Sequence, residues 1–166
     1  MKRYVFAITL AALLASVANT ATADEFTDNP GAPALKDTPR KPDVSKGKAQ
    51  KYRTRIIEVA AKGPNFNGHM RIAYWGCGSN CIEWAIINLV KGSTWFAPAE
   101  SVSCGGLSEP VNAKIPDWFE ARVESRLFFI HECSSSGSGT RVFDVRKVYV
   151  WQDGGAKLLR SEPLTY

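Results

Sequence analysis

The sequence predicts a mainly β fold: an antiparallel meander, sandwich- or barrel-like, stapled by disulfides into a single domain with one short helix. Three observations support this fold class. Short apolar runs rich in β-branched and aromatic residues follow one another from about Arg53, turn-forming Gly, Pro, Asn or Ser separates them, and four cysteines stand among them. Runs of this kind are typical of antiparallel strands joined by turns.

The clearest strand candidate lies near the C-terminal end of the sequence. In the run RVFDVRKVYVW, alternation places one set of apolar residues on a common side: Phe143, Val145, Tyr149 and Trp151. The sequence QDGGA follows, and Asp-Gly tolerates the positive φ that a tight hairpin turn requires. The other runs predicted to be strands span residues 54–61, 69–75, 82–90, 94–98, 125–133 and 156–160.

One segment departs from the strand pattern and is the best helix candidate. In IPDWFEARVES, Pro116 suits the first turn of a helix. Trp118, Arg122 and Ser125 follow helical spacing along the same segment. We therefore expect a short helix near residues 116–125, with an edge strand as the alternative.

The first residues predict export. Lys2 and Arg3 precede an apolar run that ends near Val17, and Ala21-Thr22-Ala23 matches the small-x-small pattern of a cleavage site. The apolar run is shorter than the roughly 20 residues that a membrane-spanning helix needs. We therefore expect residues 1–23 to be a cleaved signal peptide. The protein is then periplasmic or secreted, and no transmembrane segment is expected in the mature chain.

Composition divides the mature chain into two parts. Residues 24–50 are rich in proline and charge and contain one aromatic residue, Phe26. A segment of this composition buries too little apolar surface to offset the entropy of ordering it. We expect it to be a disordered tether. Residues 51–166 then form one mainly β globular domain of ordinary size.

An oxidising compartment favours disulfides, and the cysteines are even in number: Cys77, Cys81, Cys104 and Cys133. Three residues separate the first two, whereas a thioredoxin-like redox couple has two. The later two stand apart rather than as a second metal-binding pair, so neither a metal nor a cofactor is expected. We predict the bridges Cys77–Cys81 and Cys104–Cys133, with the two crossed pairings as alternatives.

A resemblance is carried by residues 64–90. The segment contains Asn65-Phe66-x-Gly68, followed by Trp75-Gly76-Cys77-Gly78-x-x-Cys81. It resembles a set of exported bacterial proteins of uncharacterised function, which carry Asn-Phe-x-Gly, then Trp-Gly-Cys-Gly-x-x-Cys, and then an Ile/Val-rich strand. The resemblance implies a shared fold and export, and it implies no activity.

An envelope hydrolase is the alternative function. Cys77 could act as a nucleophile with His69 or His131, because a neighbouring imidazole raises the thiolate fraction. Glu83 and Glu132 each lie near a cysteine, and a fold that joins the two cysteine regions would make them an acid–base pair. Gly-x-Ser-x-Gly and phosphate-loop motifs are missing, so no catalytic residue is assigned.

A binding function fits the composition better. The chain has five tryptophans, a residue type that is enriched at binding hot spots and also fills small β cores. Trp118 lies beside Asp117 and Glu120 and is the first candidate for an exposed contact residue.

Charge indicates the kind of partner. The net charge is +5, and one basic cluster contains no acidic residue: Lys46, Lys48, Lys51, Arg53 and Arg55. An exported basic cluster favours anionic partners, and nucleic acid is not expected in this compartment. The predicted function is that of a non-catalytic envelope protein that binds another protein or an anionic envelope component. Neutralising a toxin or a hydrolase is one form that such binding takes.

Overall fold

A computed structural model describes residues 24–78, 81–103, 117–133 and 143–164. Its helices are α1 (Gly47–Lys51) and α2 (Arg53–Ala60). Its strands are β1 (Met70–Gly78), β2 (Cys81–Asn88), β3 (Ser93–Ser103), β4 (Phe119–Ala121), β5 (Leu127–Glu132), β6 (Val145–Gln152) and β7 (Gly155–Pro163). The strands form two antiparallel sheets, ordered β1-β2-β3 and β4-β5-β6-β7, which confirms the predicted mainly β class.

The first sheet is buried on both faces. Along β2, Ile82, Trp84 and Ile86 belong to a core cluster shared with the second sheet. The alternate residues Ala85 and Ile87 belong to a second cluster, which includes residues of α2. Successive side chains of a strand point to opposite faces, so a strand covered on both sides reads as a continuous apolar run.

The second sheet has the same arrangement. Phe128 and Tyr149 stack in the core between the sheets, with ring centroids 5.2 Å apart. Tyr149 and Trp151 lie on the same side of β6, as the alternation predicts. The opposite face carries a separate cluster in which Phe129 packs against Phe26, from the start of the described chain. The two sheets therefore pack face to face as a sandwich with covered outer faces.

Two elements differ from the sequence prediction. Residues 54–61, expected to be a strand, lie mostly in helix α2. Ile56 and Ala60 are four residues apart and are the buried pair of this helix, which covers the first sheet. A run of eight residues with adjacent β-branched side chains fits both a strand and a helix, and packing against the sheet decides between them.

The helix expected near residues 116–125 is wrong, and the edge-strand alternative is what the structure shows. Phe119 and Ala121 lie in β4, where they pair with Ile130 and Phe128 of β5, respectively. Phe119 and Ala121 pack against the inter-sheet core, which period-2 alternation allows and helical spacing would not. Without β4, one edge of β5 would have unpaired backbone groups. The hydrogen bonds that residues 119–121 form with this edge outweigh the weak helix preference of their own sequence.

Residues 24–46, called the N-terminal arm below, also differ from the expected tether because they pack on the body. Phe26 is only 2% exposed. The amide of Gly31 donates to the carbonyl of Glu124 over 2.7 Å. The amide of Arg40 donates to the carbonyl of Leu89, also over 2.7 Å. Average composition predicted disorder, but a few well-placed apolar groups and backbone hydrogen bonds are enough to order this segment.

Candidate functional site

The disulfide at the end of the β1–β2 hairpin is the first sequence-predicted feature. Cys77 and Cys81 are bonded, with Cα atoms 5.2 Å apart, which confirms the predicted pairing. Cys77 is therefore no free nucleophile, and the Cys/His route to a hydrolase through Cys77 is wrong. Cys133 is disulfide-bonded as well. Cys104 lies outside the described residues, so the Cys104–Cys133 pairing stays a prediction.

The other residues of the hydrolase hypothesis have separate partners. His131 is 2% exposed, and its Nδ1 lies 2.5 Å from the carbonyl oxygen of Asp117. Glu83 accepts a hydrogen bond of 3.2 Å from the indole of Trp75, on the helix-facing side of the first sheet. Glu132 belongs to the second sheet and forms an ion pair with Lys147. The fold does not bring the two carboxylates together.

The predicted basic cluster is spread over α1 and α2. Lys48 lies over the ring of Phe96, with its Nζ 5.2 Å from the centroid. Arg55 forms an exposed ion pair with Glu58 over 3.6 Å. The remaining cations of the cluster are solvent-exposed: Lys46, Lys51 and Arg53. Surface cations of this kind attract anions at long range.

Trp118 is not the exposed contact residue that we expected. It is half-buried and packs edge-on against Phe143, with ring centroids 4.8 Å apart. It also contacts the core between the sheets. Its role in this structure is to close that core next to β4.

A cleft of about 620 Å³ lies between the two sheets and is lined by the turn regions that follow β2 and β6. Trp95 of β3 and Trp151 of β6 form its aromatic wall. Their rings are perpendicular, and the centroids are 5.5 Å apart. The volume lies in the range of small-ligand sites, which combine apolar walls with a few polar groups.

The polar side chains of the cleft include one cation and several groups that can donate hydrogen bonds. Lys91 contributes an ammonium group, and His69 contributes an imidazole. The side-chain oxygen of Asn88 accepts hydrogen bonds from the amides of Val90 and Lys91, over 3.0 and 2.9 Å, which leaves its NH₂ group for a ligand. Among the described residues that line the cleft there is no carboxylate. The arrangement suits a ligand rich in acceptor oxygens.

The N-terminal arm forms another wall of the cleft. Ala32 lines it, and the amide of Ala32 donates to the side-chain oxygen of Asn67 over 2.8 Å. The amide of Leu35 donates to the carbonyl of Gly68 over 3.1 Å. Gly68 has a φ of +71°, and a Cβ at this position would overlap the carbonyl oxygens of Ala32 and Pro33. Only glycine lets the arm approach this closely.

The Asn65-Phe66-x-Gly68 motif thus has a structural explanation. The side chain of Asn65 accepts from the amide of Ile72 over 2.8 Å and donates to its carbonyl over 3.3 Å. Phe66 is fully buried in the core. The motif fixes the chain before β1 and holds the arm beside the cleft.

Sequence reasoning missed the cleft itself. In the sequence, nothing distinguishes Trp95 and Trp151 from the other three tryptophans, and Lys91 lies outside the predicted basic cluster. The available signal was that each tryptophan lies near a tight Gly-containing turn, at Gly92 or Gly154. That the two turns meet is a property of sheet packing, which the local sequence does not contain.

No family model, curated protein or solved structure matches this chain. Within the described ranges, no helix is both long and apolar enough to cross a membrane. In the same ranges, no group of three His, Cys, Asp or Glu side chains is placed to hold a metal ion.

Proposed function

We propose that this protein is a non-catalytic exported binding protein that holds an anionic glycan of the cell envelope in the cleft between Trp95 and Trp151. The observation that carries the proposal is the lining of the cleft, which combines two indole rings with donor groups and, among its described residues, no carboxylate.

Each feature of the lining corresponds to a feature of such a ligand. A sugar ring has C–H faces that pack on large aromatic rings, while its oxygens need donors nearby. Lys91, and the absence of a carboxylate among the described lining residues, favour a carboxylate or phosphate substituent on the sugar. Without Lys2 and Arg3 of the predicted signal peptide the net charge is +3 (5 − 2), and this charge together with the exposed cations of α1 and α2 would attract an anionic polymer towards the protein.

The concave shape favours a glycan over a protein as the partner. A specific protein–protein interface buries about 800 Å² on each side, usually over a broad surface with apolar anchors. A cleft of about 620 Å³ with perpendicular rings instead suits a few residues of an extended polymer.

Calorimetric titration of the chain that begins at Asp24 tests the proposal. The probes are a soluble uronic-acid oligosaccharide and a neutral oligosaccharide of the same length. We expect the acidic probe to bind at least tenfold more tightly. Lys91→Ala should weaken acidic binding about fivefold, as expected for one exposed charge contact. The matched control Lys157→Ala removes an exposed cation from β7 and should change nothing.

Trp151→Ala provides the aromatic test. It should weaken binding of both probes, because stacking does not depend on the charge of the ligand. Equal binding of the two probes, or acidic binding that is unchanged in Lys91→Ala and Trp151→Ala, would contradict the assignment. A wild-type protein that binds neither probe would favour a protein partner.

A further inference from the structure

A second pocket, of about 420 Å³, lies beside the edge strand β1. The turn after α2 contributes Lys62, β1 contributes Arg71 and Tyr74, and β4 contributes Phe119. No residue described as lining this pocket also lines the aromatic cleft. A ligand here would therefore be recognised by a separate set of side chains.

Arg71 is anchored by a hydrogen bond but has no anionic partner within the described part of the chain. Its Nη1 donates to the carbonyl oxygen of Gly63 over 2.6 Å. Its Nε is buried and makes no hydrogen bond. None of the ion pairs among the described residues includes Arg71. Burial lowers the pKa of Arg71 because the positive charge is partly desolvated, and the neighbouring Tyr74 offsets this effect only in part.

The carboxylate in the pocket is bound to other groups. The hydroxyl of Tyr74 lies 3.0 and 2.9 Å from the two side-chain oxygens of Asp117. The amide of Trp118 donates to the same carboxylate over 2.7 Å. Burial, followed by the hydrogen bond to Asp117, raises the pKa of Tyr74 to about 12, so the hydroxyl stays a donor. Asp117 is thus oriented by Tyr74, and Arg71 is left to the pocket.

We propose that Arg71 and Lys62 form a binding site for a small oxyanion group, a carboxylate or a phosphate, in this pocket. Because Nη1 already donates to Gly63 and Nε is buried, the donors that such an oxyanion would use are Nη2 and the second hydrogen of Nη1, which lie in one plane. Lys62 supplies a second, exposed positive charge on the same lining. The apolar side chains of Val59, Ile72 and Phe119 can cover the body of the molecule that carries the anion.

Titration calorimetry with inorganic phosphate and, separately, with acetate tests this site at an ionic strength held constant with sodium chloride. We expect saturable binding of at least one anion, and the tighter one identifies the class of group. Arg71→Lys keeps the charge but loses the planar donor set, and it should weaken binding about tenfold. The matched control Arg126→Lys changes an exposed arginine that lines neither pocket and should have no effect.

Lys62→Ala keeps the test valid if Arg71→Lys does not fold, because Lys62 is exposed and its removal leaves no buried gap. It should weaken anion binding severalfold without changing the aromatic cleft. The site is disproved if wild-type protein binds neither phosphate nor acetate, or if Lys62→Ala binds the preferred anion as well as wild type does. Oligosaccharide binding in the cleft is measured separately, so either proposal can fail alone.

Discussion

At the scale of single residues, Gly68 and Asn67 determine how the N-terminal arm reaches the cleft. Both have positive φ, and both are buried. Asn67 holds the amide of Ala32, and Gly68 leaves room for the carbonyls of Ala32 and Pro33. A position of this kind is sensitive to substitution for two reasons, backbone conformation and direct overlap.

Gly68→Ala separates these two effects when it is compared with Gly47→Ala. Gly47 also has a positive φ, +61°, but a Cβ there meets no atom within 4 Å. Gly47→Ala should cost about 1 kcal/mol from the backbone alone. Gly68→Ala should cost more than about 2 kcal/mol, because the arm must also move. Urea unfolding measures both, and equal losses in the two variants would contradict close docking of the arm.

At the scale of elements, the long strands were predicted from the sequence more accurately than the short elements α2 and β4 that pack against the sheets. β2 and β6 followed from apolar runs and alternation, and the Asp153-Gly154 turn between β6 and β7 followed from its residue types. α2 and β4 were assigned to the wrong class, because each is short and its local pattern fits both a helix and a strand. Packing against a sheet edge or face decided these two elements, and that information is not local.

The disulfide at the tip of the β1–β2 hairpin allows a quantitative comparison. Cys77→Ser with Cys81→Ser opens a five-residue loop, for which the chain-entropy relation gives about 2 kcal/mol of lost stability. Replacing Cys104 and Cys133 by serine should cost more, about 3–4 kcal/mol, if they close the longer loop that the sequence predicts. Denaturant unfolding of the two double variants measures the difference. A larger loss at the hairpin would contradict this order.

Non-reducing peptide mapping is the companion measurement for that comparison. It should yield one peptide pair joined at Cys77 and Cys81 and a second pair joined at Cys104 and Cys133. A peptide that links residue 77 or 81 to residue 104 or 133 would contradict the predicted pairing.

At the scale of the whole molecule, the N-terminal arm connects layers that are far apart in the sequence. Its first residues cover the outer face of the second sheet, where Phe26 packs on Phe129 at 4.7 Å between ring centroids. Further along, the backbone amides of Arg40 and Asp43 donate to the carbonyls of Leu89 and Gly92, beside the first sheet. Between these contacts the arm lines the cleft.

The sequence predicted an anionic partner class from charge, but not the residues of the candidate site. The cleft depends on the meeting of two distant turns and on an arm whose composition indicated disorder. Export, the partner class and the resemblance therefore stay predictions, and the fold class and one disulfide are confirmed.

Phe26→Ala tests whether the arm is part of the folded body. Removing a buried phenylalanine costs about 3 kcal/mol, which for a domain of this size lowers the melting temperature by roughly 10 °C. The guanidinium of Arg122 lies 4.4 Å from the centroid of the Phe26 ring and would lose that contact as well. Leu159→Ala is the matched control, because Leu159 is 48% exposed and its loss should cost less than about 1 kcal/mol. Thermal unfolding followed by circular dichroism measures both variants, and limited proteolysis should cut the arm of Phe26→Ala first. If the two variants had equal melting temperatures and the arm were cleaved readily in wild type, the arm would be the disordered tether that its composition predicts.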